Sequence, residues 1–306
     1  MKFSLEGVIP ALLTPFTRNG KHVDYDKACA LADRLAGQKA HGIFPCGTTG
    51  EGPLMTVEER KKLVEELVKA VGKQLGARKA SAPLKVIAHT GAFDTATTVE
   101  LTRHARDVGA CAAGVVAPGF YTHDDAALYA HYRAVAKAVP SFPILLYNIP
   151  GCVKNVLKPN LVLRLFEEFE NIVGVKDSGG DITALNRILA GAPQHVSVIN
   201  GVDEYTYQAY LAGAKGSVSS TANVAPELFL AIFDNVKKGD LKRAWLAQTR
   251  LSEVCGVMQY GRSAAYYKEA LRLRGFDAGY VRPPLLELPA GQKRRLVIGM
   301  KLAGLI

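Results

Sequence analysis

Eight short apolar segments recur along the chain, and each is followed by a stretch in which apolar residues have helical spacing. These segments are continuous apolar runs rather than alternating ones, which indicates parallel strands covered on both faces. Eight such units in 306 residues predict an α/β fold of the (β/α)8 TIM-barrel class. The predicted strands are 7–13, 42–47, 85–90, 113–119, 143–148, 172–177, 196–201 and 215–220.

The chain continues well beyond the eighth unit with helical patterns alone. We therefore expect residues 1–238 to form the barrel and residues 239–306 to form a helical extension packed on it. The alternative is a doubly wound open sheet. Such a sheet usually has a glycine-rich phosphate loop after its first strand, where this chain reads LLTPFTRNG instead.

The net charge of +10 raises the question of a nucleic-acid partner. Much of the excess lies in residues 261–306, which have nine Lys/Arg and three Asp/Glu. This region has the pattern of amphipathic helices with solvated basic faces and carries no RNA- or DNA-binding signature. We therefore expect no nucleic-acid partner. A basic surface would instead favour the approach of small anionic substrates.

The sequence contains no apolar run near the ~18 residues that span a bilayer. Its first residues, MKFSLEGVIPALLTPF, make a poor signal peptide because an acidic residue and a proline interrupt the apolar run. A cytoplasmic protein without a membrane partner is the expectation. The five cysteines and seven histidines are scattered without metal-ligand spacing, so we expect no metal and no cofactor.

Polar residues follow several of the predicted strands, where barrel enzymes place their catalytic groups. Each one alone has a structural explanation: a strand-end lysine that reaches solvent, a core tyrosine, or an ordinary tight turn at GTTGEG. A partly desolvated lysine in a barrel mouth is, however, a nucleophile toward carbonyl groups. The strand-end residues are Thr48, Thr49, Tyr147, Lys176, Asp203, Glu204, Ser219 and Ser220.

Five motifs occur in one order along nearly the whole chain: GTTGE (47–51), YNIP (147–150), GVKDSGGD (174–181), NGVDE (200–204) and GSVSSTAN (216–223). Together they resemble the dihydrodipicolinate synthase / N-acetylneuraminate lyase family of class I, Schiff-base-forming pyruvate aldolases. The resemblance implies that Lys176 forms an imine with pyruvate or a 2-oxo acid. It implies that Thr48 and Thr49 hold the substrate carboxylate, and that Tyr147 transfers protons through the Thr49 hydroxyl.

The resemblance also implies a pocket wall and a neighbouring subunit. Gly201 and Val218 would line the pyruvate site with backbone atoms. An aromatic hydroxyl from loop 118–122 of a second subunit completes the proton relay in relatives, and Phe120 and Tyr121 stand at this place. A homo-oligomer, either a dimer or a tetramer, is therefore expected.

One departure from the family pattern bears on the substrate. Synthases of this family carry an arginine in YNxPxR that binds the carboxylate of aspartate semialdehyde, and this chain has Cys152 there. A neutral thiol cannot replace a guanidinium on a carboxylate. Asp203 and Glu204, with Ser178 and Ser220, would instead accept and donate hydrogen bonds to substrate hydroxyls.

The favoured function is therefore the reversible cleavage of a 2-oxo-3-deoxy sugar acid, or a related hydroxylated 2-oxo acid, to pyruvate and an aldehyde. The alternative enzyme is 4-hydroxy-tetrahydrodipicolinate synthase, which condenses pyruvate with aspartate semialdehyde. The alternative from another class is a non-catalytic pyruvate-binding homologue. It is disfavoured because Lys176, Tyr147 and both threonines are all present.

Overall fold

A computed structural model describes residues 3–77, 84–261 and 263–306. In this part of the chain, strands and helices alternate, and all paired strands are parallel. The strands are β1 (Gly7–Pro10), β2 (Gly42–Ile43), β3 (Lys85–His89), β4 (Ala112–Val116), β5 (Ile144–Asn148), β6 (Ile172–Asp177), β7 (Ser197–Asn200) and β8 (Gly216–Ser219).

The eight strands form one sheet in which chain neighbours are also sheet neighbours, and β8 lies beside β1. Backbone hydrogen bonds also join β1 to the β2 region. The His41 N–H donates to the Val8 carbonyl and the Phe44 N–H to the Pro10 carbonyl, both at 2.9 Å. The sheet therefore closes on itself, which confirms the TIM-barrel prediction and excludes the open sheet.

The helices surround the barrel and continue after β8. A capping box opens α2: the Thr56 N–H donates to Glu59 Oε2, and the Glu59 N–H donates to Thr56 Oγ1. The helices are α1 (Tyr25–Gly37), α2 (Val57–Ala77), α3 (Thr95–Asp107), α4 (Asp125–Ala138), α5 (Pro150–Val153), α6 (Pro159–Glu168), α7 (Ile182–Gly191), α8 (Thr206–Leu211), α9 (Pro226–Lys238), α10 (Leu241–Val257), α11 (Ala264–Leu273) and α12 (Ala290–Leu302).

Three predicted strands were too long by three or more residues at their carboxyl ends. β1 ends at residue 10 rather than 13, β2 at 43 rather than 47, and β4 at 116 rather than 119. In β2 the cause is local, because Pro45 has no N–H to donate and Cys46 has a φ of 62°. The apolar residues beyond these ends belong to loops that pack at the rim of the barrel.

Side chains along each strand alternate between two apolar layers. On β5, Leu145 and Tyr147 point into the barrel, whereas Ile144 and Leu146 pack against the helices. On β6, Val175 belongs to the helix-facing layer, so the next residue, Lys176, faces inward. The inner layer comprises Leu5, Ile9, Ala11, Phe44, Ile87, Ala112, Val116, Leu145, Tyr147, Ile199 and Val218.

Helices α10, α11 and α12 share the helix-facing core of the barrel through Leu251, Leu271 and Leu296. The division of the chain at residue 238 stays a prediction. One expectation for this region was wrong. Lys268 on α11 was assigned to a solvated basic face, but it is 1% exposed because its charge is matched inside the protein. Among the described residues, no helix is long and apolar enough to cross a membrane.

Candidate active site

A cavity of about 560 Å³ opens at the carboxyl ends of the strands. The structure brings together at this cavity all but three of the residues that the sequence predicted for the site. Those in its wall are Thr48, Thr49, Tyr147, Cys152, Lys176, Ser178, Gly201, Asp203, Glu204, Val218 and Ser220. They come from five different strand ends and their following loops, as expected for a barrel site.

Lys176 and Tyr147 meet at the base of this cavity. They are partners in the parallel register of β5 and β6, and both face inward. The Lys176 Nζ lies 3.8 Å from the centroid of the Tyr147 ring and 4.8 Å from that of Phe44. Lys176 is only 5% exposed and Tyr147 only 2%. The amine is therefore surrounded by aromatic rings, with little water around it.

His89 closes the aromatic group from β3. Its ring lies edge-on to Tyr147, with centroids 5.7 Å apart, and is tilted toward Phe44. Burial, together with the charges of Arg60 and Lys176, holds the pKa of His89 well below its usual value. The imidazole is therefore neutral at physiological pH and adds no second positive charge beside the amine.

Asn148 and Asp177 follow Tyr147 and Lys176 and join the same two strand ends. The Asn148 side-chain amide donates to Asp177 Oδ1 at 3.2 Å, and the Gly179 N–H donates to the same oxygen at 2.6 Å. The Leu157 N–H donates to Asn148 Oδ1. Burial raises the pKa of Asp177. The motifs did not predict this hydrogen-bonded pair, although Asn148 and Asp177 lie within them, directly after Tyr147 and Lys176.

Thr48 and Thr49 line the same cavity from the loop after β2. The Thr49 hydroxyl is 2.5 Å from the Ser220 hydroxyl after β8. The Thr48 hydroxyl is hydrogen-bonded to the Cys152 thiol. Because the Thr49 hydroxyl is engaged by Ser220, its predicted role as the relay for Tyr147 stays a prediction.

Cys152 lies on the short helix α5 and presents its thiol to the cavity. Partial burial raises the pKa of this thiol, and the hydrogen bond from Thr48 and the charge of Lys176 oppose that effect only in part. The thiol is therefore neutral near pH 7. The position at which the family's synthases carry an arginine contributes no charge here.

Asp203 lines the cavity from the loop after β7. Ser219 and Thr221 donate hydrogen bonds to its carboxylate, yet burial raises the pKa of Asp203 to about 6, with a further contribution from Glu204. The Gln248 side-chain amide donates to the backbone carbonyls of Asp203 and Glu204, which fixes this loop on α10.

Gly201 provides the close backbone approach beside this loop. A Cβ atom there would lie 2.0 Å from Ser178 Oγ and 3.0 Å from the Asp177 carbonyl oxygen. The Gly201 N–H donates to that carbonyl at 2.7 Å. Glycine therefore lets the ends of β6 and β7 come together below Ser178.

The C-terminal segment supplies one wall of the cavity, and the sequence motifs did not predict this part of the site. Cys255, Tyr260, Tyr267 and Leu285 line the cavity opposite the strand ends. Tyr267 is buried, with its hydroxyl 3.5 Å from Thr221 Oγ1. No motif marked these residues, because the segment was interpreted only as helices with solvated basic faces.

Besides Ser219, the predicted residues that do not line the cavity are Phe120 and Tyr121. They are 75% and 68% exposed, and their rings pack edge-to-face with centroids 5.0 Å apart. Phe120 has a φ of 72°, which turns the loop outward. Phe93, also 68% exposed, lies against Gly119 of the same loop. A contribution of this loop to a neighbouring subunit's site stays a prediction.

A search of the described residues finds no group of three or more His, Cys, Asp or Glu side chains that could hold a metal ion. The side chains that line the cavity offer one amine, three phenols, two thiols, several aliphatic hydroxyls and two carboxylates. An amine beside a phenol is suited to imine formation followed by proton transfer.

Comparison with known proteins assigns this site to a family. The profile described as the dihydrodipicolinate synthetase family matches residues 4–301. The chain belongs to this family. Its members are pyruvate-dependent Schiff-base lyases and aldolases, so the chain is an enzyme of this class, as the motifs predicted.

The individual relatives match over full length. The chain is 34% identical over 306 residues to the 4-hydroxy-tetrahydrodipicolinate synthase of Methanopyrus kandleri, with coverage of 100% of this chain and 99% of the relative. It is 35% identical over 302 residues to an uncharacterised DapA-like lyase of Halobacterium salinarum, with coverage of 99% and 95%.

Solved structures agree with the fold. The dihydrodipicolinate synthase of Aquifex aeolicus superimposes with a TM-score of 0.90 at 32% identity, covering 98% of this chain and 99% of the other. YagE, a prophage protein of the same family from Escherichia coli, was solved in complex with pyruvate. It superimposes with a TM-score of 0.91 at 28% identity, covering 99% of both chains.

Proposed function

We propose that the enzyme forms and breaks a carbon–carbon bond at C3 of pyruvate while pyruvate is held as an imine on Lys176. The observation that carries this proposal is the juxtaposition of the Lys176 amine with the Tyr147 ring in a water-poor cavity base, 3.8 Å apart. The complex of a family member with pyruvate supports pyruvate as the common substrate.

The reaction follows from the groups present. The Lys176 amine adds to the C2 carbonyl of pyruvate, and loss of water leaves a protonated imine. This cation withdraws electrons, so a C3 proton is lost to give an enamine. The enamine carbon attacks the aldehyde to form the C3–C4 bond, and water then releases the product from Lys176. Cleavage is the same sequence in reverse.

Three further groups have roles in this proposal. Thr48 and Thr49, which line the same cavity as the amine, bind the pyruvate carboxylate. Tyr147 moves protons to and from the reacting oxygen and nitrogen as general acid and base. Gly201 and Val218 line the pyruvate site, where their small or apolar surface leaves room for the methyl group.

For the acceptor we propose a hydroxylated aldehyde, derived from a 2-oxo-3-deoxy sugar acid or a related hydroxylated 2-oxo acid. Support comes from the wall of the cavity beyond Lys176, which presents Asp203, Glu204, Ser178 and Ser220. Carboxylates accept hydrogen bonds from hydroxyl groups and repel a second carboxylate. Cys152 adds no positive charge to offset that repulsion.

The second candidate is 4-hydroxy-tetrahydrodipicolinate synthase activity. The names of the relatives favour it over the sugar-acid reaction, because similar chains from Methanopyrus kandleri and Bacillus subtilis carry that name at 34% and 32% identity. The side chains of the cavity favour the hydroxylated aldehyde. The comparison that separates them is kcat/KM of the wild type with pyruvate and either aspartate semialdehyde or a panel of hydroxyaldehydes.

Turnover of the hydroxyaldehydes and poor turnover of aspartate semialdehyde would support the sugar-acid reaction. The opposite pattern would establish the synthase. Turnover of neither, with pyruvate still bound, would point to the non-catalytic homologue. We also propose a cytoplasmic homo-oligomer, a dimer or tetramer, in which the exposed Phe93, Phe120 and Tyr121 are covered by a second copy.

A further inference from the structure

The loop that carries Thr48 and Thr49, residues 47–52 (the carboxylate loop), is anchored from below by a buried ion pair. Glu51 does not line the cavity. Its Oε1 lies 2.6 Å from Nζ of Lys268 on α11, and each side chain is 1% exposed. Its Oε2 accepts a hydrogen bond from the Arg282 N–H at 2.8 Å. Both oxygens of the carboxylate therefore have a partner.

Lys268 is equally well matched. Besides Glu51, its Nζ donates to the Thr14 carbonyl at 2.7 Å and to the Tyr280 carbonyl at 2.6 Å, so its three N–H groups meet three acceptors. Burial raises the pKa of Glu51 and lowers the pKa of Lys268. Removing either partner would leave the other buried without its counter-charge.

The backbone of the carboxylate loop adopts dihedral angles that its residues do not favour on their own. Glu51 has a φ of 55° and Cys46, just before the loop, has a φ of 62°, a region that side chains with a Cβ disfavour. A Cβ at Gly52 would lie 1.8 Å from the Cys46 carbonyl oxygen. The Gly50 carbonyl accepts a 2.6 Å hydrogen bond from Thr14 Oγ1. Contacts with residues distant in sequence therefore stabilise the conformation of the loop.

We propose that the Glu51–Lys268 ion pair positions the carboxylate loop so that Thr48 and Thr49 can bind the substrate carboxylate. Glu51 and Lys268 are thus positioning residues, which act on the substrate only through Thr48 and Thr49. The same helix, α11, presents Tyr267 to the far wall of the cavity. The pair therefore joins the site for the carboxylate of pyruvate to the wall that faces the second substrate. This inference rests on the proposed function.

Two variants test the anchor in different ways. Glu51→Gln removes the charge from the pair. Thr14→Val keeps the side-chain volume and the ion pair but removes the hydrogen bond to the Gly50 carbonyl, so it tests the loop even if Glu51→Gln fails to fold. The matched control is Val135→Ala on α4, a core truncation that lowers stability without touching the carboxylate loop.

The readout is borohydride trapping as a function of ligand concentration, with pyruvate and with methyl pyruvate, whose carboxyl group is masked as an ester. In the two variants we expect the half-saturating pyruvate concentration to rise about tenfold or more, as for the loss of one charge-assisted contact. The half-saturating concentration of methyl pyruvate should change less than about twofold. Val135→Ala should lower the Tm and leave the selectivity for pyruvate unchanged.

The inference would be overturned by variants that lose Tm but keep the wild-type selectivity between the two ligands. An equal weakening of both ligands would also overturn it, because that pattern indicates general damage to the site. Failure of the wild type itself to be trapped would contradict the proposed function instead, so the two failures can be told apart.

Discussion

Lys176 and Tyr147 occupy paired positions on β5 and β6, and the amine lies 3.8 Å from the centre of the phenol ring. This contact predicts that the phenol hydroxyl transfers protons during bond making and breaking. Tyr147→Phe keeps the ring beside Phe44 and His89 and should not disturb folding. We expect steady-state cleavage to fall about 10²–10⁴-fold, the usual contribution of a general acid–base group.

Borohydride trapping after long incubation provides the control for Tyr147→Phe, because it requires the amine of Lys176 and not the phenol hydroxyl. It should reach the wild-type extent. Cleavage at close to the wild-type rate would show that another group, such as Tyr121 of a second subunit or a water molecule, moves the proton.

Cys152 sets the second prediction, which concerns the acceptor. Cys152→Arg adds a guanidinium that can bind a carboxylate with two hydrogen bonds. We expect kcat/KM with aspartate semialdehyde to increase about tenfold or more. Activity with a neutral hydroxyaldehyde should decrease because the larger side chain takes up its space. A Cys152→Met variant is the control for size, and it should not improve turnover of aspartate semialdehyde.

Asp203 gives a prediction on pH. Its pKa is raised from the usual 3.8 to about 6, so the folded protein holds this proton more tightly than the unfolded chain does. Stability should therefore fall as the pH rises from about 4 to about 6 and the buried carboxylate ionises. Asp203→Asn should raise the Tm relative to wild type at pH 7.5, and this gain should vanish near pH 3.5.

The same titration should appear in substrate binding. Because the ionised carboxylate accepts hydrogen bonds from hydroxyl groups, the KM of the wild type for a hydroxyaldehyde should fall as the pH rises through about 6. The KM of Asp203→Asn should lack this transition. A KM that does not depend on pH in either protein would remove Asp203 from the acceptor site.

Gly201 gives a prediction on packing. In Gly201→Ala the new methyl group would lie 2.0 Å from Ser178 Oγ, so Ser178 must move. We expect a loss of stability of about 1–3 kcal/mol, as for an overpacked site. Ser178→Gly in the same chain should recover part of that loss, although the Asp177 carbonyl remains close. Denaturant unfolding of the two single variants and the double variant measures this coupling.

The sequence revealed the barrel because its information is local. A continuous apolar run that ends in a polar residue predicts one strand and the residue at its carboxyl end. In a barrel of parallel strands all carboxyl ends lie at one rim, so these polar residues are expected to lie close together. Lys176, Tyr147 and the two threonines could therefore be predicted to meet. The exact end of β2 could not, because Pro45 and the left-handed Cys46 act through backbone geometry.

The parts of the site that were missed depend on contacts between distant segments. Lys268 has the sequence context of an exposed helical lysine, and its burial is explained by contacts with Glu51, 217 residues earlier, and with the Thr14 and Tyr280 carbonyls. Tyr267 and Leu285 reach the cavity only because α11 and the following segment pack across the barrel mouth. Helical periodicity does not encode that packing direction.

The central claim is that Lys176 carries the covalent intermediate, and trapping followed by mass spectrometry measures it directly. Wild-type protein treated with pyruvate and borohydride should gain the mass of one reduced pyruvate adduct, and peptide mapping should place it on Lys176. Lys154→Ala, which removes an exposed lysine near the same rim, should be labelled like the wild type. Lys176→Ala should remain unlabelled while keeping its fold. Labelling of Lys176→Ala at the wild-type level, or an adduct mapped to another lysine, would contradict the account.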